Sequence, residues 1–111
     1  MPAAAEGAAE LELAPGRLAV RGELGFATVV SVLTPGRDAL AAAAGNELVL
    51  DLAAVTKSDS AGLALLLDWL RAARARNLAV RVEGVPEQLA DIARLGGVAS
   101  LLGLEEGGDG T

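Results

Sequence analysis

The chain has 111 residues, a net charge of −6, 52% hydrophobic residues and 2% aromatic ones, which favours a single domain burying roughly two-thirds of the surface its unfolded form exposes. It contains no Cys and no His, so thiol nucleophiles, disulfides, zinc-finger ligand sets and His-based acid/base catalysis are excluded, and no catalytic residue, metal site or cofactor is expected. The acidic balance repels a phosphate backbone, and one Trp, one Phe and no Tyr leave almost nothing to stack on bases, so nucleic acid is not an expected partner.

Residues 1–9 carry an acid and no basic region ahead of an apolar stretch, which does not read as a secretory signal. They and residues 105–111, EEGGDGT, lack periodic apolar positions and read as disordered ends around a folded unit of residues 10–104. Leu11 and Leu13 alternate with Glu10 and Glu12, and Leu18, Val20 and Leu24 follow the Pro15-Gly16 turn; the pattern predicts a hairpin of two short strands. Phe26 to Ala44 is helical in period, with either a break at Thr34-Pro35-Gly36, where Thr34 caps a second segment, or a single kinked helix. Gly45-Asn46 ends it.

Glu47 to Leu52 reads as a strand, and its run of Leu48, Val49, Leu50 and Leu52 suits a parallel strand covered on both faces. A polar turn, Thr56-Lys57-Ser58-Asp59-Ser60, precedes a helix over 61–76 that carries Arg71, Arg74 and Arg76 near its end, where the helix dipole favours cations. Asn77 terminates that helix, Leu78 to Val82 is a strand, Pro86 opens a helix to about Leu95, and Gly96-Gly97 precede a short helix over 98–104. Strand and helix alternate, which predicts an α/β fold with a mostly parallel sheet and one antiparallel edge strand. No segment supplies the ~20 apolar residues that cross a bilayer, because Asp68 interrupts the longest run. A soluble, cytoplasmic protein without direct membrane insertion is therefore expected.

The turn at 56–60 is the candidate site. Ser60 can accept from free amides of the first helical turn, with the Asp59 charge near the positive helix end, and that capping role accounts for both residues. The same geometry presents a small hydroxyl at the carboxyl end of a parallel strand, open to a partner or a kinase, and Lys57 could complete such a site. At about 100° per residue, Leu63, Leu66, Leu67, Leu70 and Ala73 form a core stripe. Ala61, Leu65, Asp68 and Ala72 lie opposite, with Ala64 and Trp69 at the borders. Either another element covers this outer face or it docks a partner, since large exposed apolar patches usually mark interaction sites. In the docking case Thr56, Lys57, Ser58, Asp59, Ser60, Ala61, Leu65, Asp68, Trp69 and Ala72 form one surface, with Trp69 as its anchor.

The stretch VLDLAAVTKSDSAGLALLLDWL resembles the signature of STAS domains, in which a strand ending in Asp-Leu leads into Asp-Ser/Thr-x-Gly-Leu at a helix start. Here these are Asp51-Leu52 and Asp59-Ser60-Ala61-Gly62-Leu63. Gly22-Glu23-Leu24 before Phe26-Ala27-Thr28, and Gly84-Val85-Pro86-Glu87-Gln88-Leu89, add to the likeness, which covers residues 11–104. The long Leu run from Gly62 looks most like the MlaB-like branch. That resemblance implies a non-catalytic subunit, peripheral to the inner membrane, that binds the ATPase subunit (MlaF-like) of a phospholipid ABC transporter in complex with its permease. The related anti-sigma-factor antagonists imply instead an anti-sigma-factor kinase as partner and phosphorylation of Ser60. Ala61 and Ala64 depart from the Ser and Gly that antagonists commonly carry.

Overall fold

The computed structural model describes residues 8–104. The two short strands of the hairpin are β1 (Glu10–Ala14) and β2 (Arg17–Leu24), antiparallel, with Glu10 opposite Arg21 and Ala14 opposite Arg17. The chain continues through α1 (Val29–Ala42), β3 (Glu47–Ser58), α2 (Ser60–Ala75), β4 (Ala79–Glu83) and α3 (Glu87–Leu95) to a 3-10 helix, Ala99–Leu102. The sheet order is β1-β2-β3-β4, and β2, β3 and β4 are mutually parallel, so the mixed α/β architecture agrees with the alternation in the sequence. Residues 1–7 and the acidic tail 105–111 lie outside the described residues. Ala9 already packs against the core.

Both crossovers step the same way across the sheet, and in the usual right-handed sense this puts their helices on one face. Burial agrees: Leu18, Val20, Leu48, Leu50 and Leu52 are buried, whereas Arg17, Arg21, Ala79 and Arg81 are exposed. The expectation of a β3 covered on both faces is therefore corrected. Its open face carries an ion-pair row: Arg17 Nη2 lies 2.9 Å from Asp51 Oδ2 and 3.5 Å from Glu83 Oε1, and Arg81 Nη2 lies 2.9 Å from Glu83 Oε2. Only Val49 breaks the alternation, which is why the run looked continuous in the sequence.

Helix α1 is one element with Pro35 inside it and no break, so Thr34 caps nothing and the single-helix alternative holds. Val32, Gly36 and Leu40 form its buried stripe. A Cβ at Gly36 would collide with the indole of Trp69, so the missing side chain lets α1 lie directly on that ring. Trp69 Nε1 donates to the Leu33 carbonyl at 3.1 Å. Arg76 reaches across the same seam and donates to the carbonyls of Leu40 and Ala43 at 2.9 and 3.3 Å, adding to the Ala43 amide that Leu40 already accepts at the C-terminus of α1, where carbonyls lack full intrahelical bonding.

Candidate functional site

The end of the sheet is shaped by an unexpectedly long β3. The polar stretch at 56–60 is not a turn, because β3 continues through Thr56 and Lys57 to Ser58. Its register against β2 shifts twice, between Ala19 and Arg21 and between Gly22 and Glu23. Each shift inserts an extra β3 residue, so the buried positions go from Leu52 to Val55 to Ser58, a spacing that a two-residue period does not detect. Leu24 ends β2 opposite Ser58, and the β2–α1 loop and the start of α2 lie side by side.

Asp59 joins those two elements. Its Oδ1 accepts from the amides of Ala61 and Gly62 at 2.8 and 3.2 Å, and its Oδ2 accepts from the Phe26 amide at 3.0 Å. Asp59, rather than Ser60, is thus the N-cap of α2; its longer side chain reaches both the helix amides and the neighbouring loop. The Phe26 amide foremost, followed by those of Gly62 and Ala61, holds this carboxyl below its ordinary range, against an opposing effect of burial. A Cβ at Gly62 would collide with the Leu24 carbonyl, so this residue allows α2 to start hard against the end of β2. Thr28 closes the loop from the other side: Oγ1 accepts from the Gly25 amide at 2.9 Å and donates to the Glu23 carbonyl at 2.7 Å.

Ser60 occupies the first position of α2 and is exposed, as are Thr56, Lys57 and Asp59, while Ala61 is half-buried. Ser58 faces inward: its amide donates to Gln88 Oε1 at 3.2 Å, which ties α3 to the end of β3, and its buried hydroxyl has no partner among the described residues.

The remaining residues of the expected surface do not join this group. Leu65 is 5% exposed and Trp69 0%, because α1 lies over that side of α2. Asp68 is half-buried and holds Arg37 of α1 through two bonds, Nε to Oδ2 at 2.9 Å and Nη2 to Oδ1 at 2.7 Å, and the Arg37 guanidinium lowers its pKa. Ala72 is half-buried. Of the two alternatives for the outer face, coverage by another element is the one observed. Leu67 and Leu70, expected in the core, are only half-buried, since they line an open groove with Leu78, Val98 and Leu101.

The exposed apolar residues near Ser60 are instead Phe26, at 83%, and Val30, at 81%. The helical pattern that starts at Phe26 in the sequence begins only at Val29 in the structure. Phe26 in the loop held by Asp59, Val30 in the first turn of α1 and Ser60 in the first turn of α2 are thus all exposed toward the carboxyl end of β2 and β3, an apolar and hydroxyl-bearing platform. Among the described residues no group of three or more Asp or Glu could hold a metal ion, and no helix is long and apolar enough to cross a membrane.

Comparison with known proteins bears on the whole of this unit. The family model described as Mlab, STAS domain, matches residues 8–103. The anti-sigma factor antagonist SpoIIAA in its unphosphorylated form superposes with a TM-score of 0.66 at 16% identity, over 91% of this chain and 89% of that one. The Bacillus cell fate determinant SpoIIAA in its phosphorylated form gives 0.63 at 16% identity, over 91% and 92%. At that identity the likeness is one of fold. No curated protein matches the chain.

Proposed function

The chain belongs to the STAS domain family, whose members act generally as protein-interaction modules, and from that premise we propose that it binds and regulates the ATPase subunit of an MlaB-type phospholipid ABC transporter. In that role it sits peripheral to the inner membrane through its partner and performs no chemistry of its own. The observation that carries this reading is the platform itself: Phe26, on a loop that Asp59 holds to the start of α2, and Val30, in the first turn of α1 that follows it, are exposed apolar side chains. Aromatic anchors beside orienting polar groups are the usual make-up of a protein-binding hot spot. The contact surface is thus Phe26, Val30, Lys57, Ser60 and Ala61, in place of the Leu65 and Trp69 side of α2.

A second reading rests on Ser60. It is an exposed hydroxyl in the first turn of a helix, where a phosphate could meet backbone amides. Asp59 already accepts from the Ala61 and Gly62 amides, so a phosphate there would face a neighbouring carboxylate and alter the platform strongly. On this reading the chain is an anti-sigma-factor antagonist switched by a kinase.

A pull-down from native cells with the wild-type chain, Phe26→Asp and Ser60→Glu, read by mass spectrometry, separates the readings. Recovery of an ABC ATPase with its permease, reduced at least about tenfold by either variant and with Ser60 unmodified, supports the transporter subunit. Recovery of a kinase-like anti-sigma factor with phosphate on Ser60 supports the switch. Unchanged recovery of the ATPase by both variants refutes the platform as its docking site.

A further inference from the structure

The two edges of the sheet differ. Among the described residues β1 and β4 are its outermost strands. β1 offers Glu10 and Glu12 on the open face and no base, so a second copy pairing there would set acid near acid. β4 offers Arg81 and Glu83, it pairs with β3 without a register shift, and it contains no Pro or Lys. Of the devices that usually blunt a sheet edge, Pro, Lys and a bulge are therefore missing from it.

The direction of its free groups follows from the ladder. In a parallel pair, alternate residues of a strand serve one neighbour. The Ala79 amide donates to the Asn46 carbonyl at 2.9 Å, so Ala79, Arg81 and Glu83 serve β3 while Val80 and Val82 turn their N–H and C=O groups outward. An antiparallel partner must oppose outward residues to outward residues. Val80 opposite Val82 would set Arg81 against Arg81. Val80 opposite Val80 would leave Arg81 against Ala79. Val82 opposite Val82 sets Arg81 of each copy against Glu83 of the other, two ion pairs at directly opposed positions, where Cβ atoms lie about 4.5–5.5 Å apart.

We infer that two copies of this chain pair antiparallel through β4 about a two-fold axis at Val82, making one continuous sheet whose open-face ion-pair row runs through both. A groove of about 800 Å³, lined by Leu70, Leu78, Val80, Val98 and Leu101 among others, lies beside this edge. The interface is isologous, as a closed dimer requires, and it leaves the platform around Phe26 and Ser60 free.

Sedimentation equilibrium of the full chain over a concentration series tests the pairing. The wild type is expected to approach twice its 11.1 kDa. Arg81→Glu is expected to weaken association at least about tenfold, and Arg81→Glu combined with Glu83→Arg to restore it, because the reversed pairs again match. Val82→Pro removes an outward N–H, which edge strands tolerate, together with part of the Val82 packing on the core, and is expected to give a folded monomer by circular dichroism. A wild type that stays at 11.1 kDa up to about millimolar concentration overturns the inference. So does a dimer that Val82→Pro leaves intact. Pairing only after removal of residues 105–111 also overturns it and assigns the edge to the chain's own tail.

Discussion

Helix α2 is closed along its middle and open at its first turn, and the two regions are held by different physics. In the middle, the Trp69 indole fills the space that Gly36 leaves, while Asp68 and Arg76 bond to α1 around it. Most of that contact is buried apolar surface, which no other molecule can reach. At the first turn a single carboxylate joins three amides from two elements, and the apolar side chains beside it point to solvent. The seam therefore determines whether the domain stands, and the platform what it can meet.

Trp69→Ala is the strongest challenge to that division. It empties the seam and removes the bond to Leu33, and a loss of about 3–5 kcal/mol in chemical denaturation is expected; a loss under about 1 kcal/mol would mean that α1 does not depend on the seam. Asp59→Ala, which removes the cap, is expected to cost about 1 kcal/mol. The acid limb sharpens the point. Because the folded Asp59 carboxyl lies below its ordinary value, its contribution is fully present above about pH 4 and is lost as the pH falls through the lower folded value. Asp59→Asn should flatten that part of the stability profile, and an unchanged acid limb would remove Asp59 from the list of groups that set it. Asp51 and Asp68, also lowered, keep the remaining acid sensitivity. Val30→Ser should be the mildest, within about 0.5 kcal/mol of wild type, while still reducing ATPase capture in the pull-down. A larger loss of stability would show that Val30 belongs to the packing rather than to the platform.

Much of the candidate site was legible locally. The sequence Asp59-Ser60-Ala61-Gly62 announces a helix start after a strand, since a short acceptor followed by small residues is what free amides and a close backbone approach require. That the cap was Asp59 was not legible, because Ser60 has the same capping chemistry and only the position of the Phe26 amide decides between them. Phe26 and Val30 were missed because a helical period running from Phe26 tells neither that α1 begins only at Val29 nor which of its sides meets the sheet.

The amino-acid order by itself determined the hairpin at Pro15-Gly16, the succession of strands and helices, the family signature and the end of α2 before Asn77, because turn geometry, capping and short-range periodicity act over a few residues. Tertiary structure alone decided how far β3 runs, that one face of the sheet stays open, that α1 covers Leu65 and Trp69, and that Phe26 is left outside. Those outcomes depend on register against β2 and on which of two apolar sides of α2 meets a helix 30 residues away. A bulge or a covered face changes a residue's surroundings without changing its neighbours in sequence.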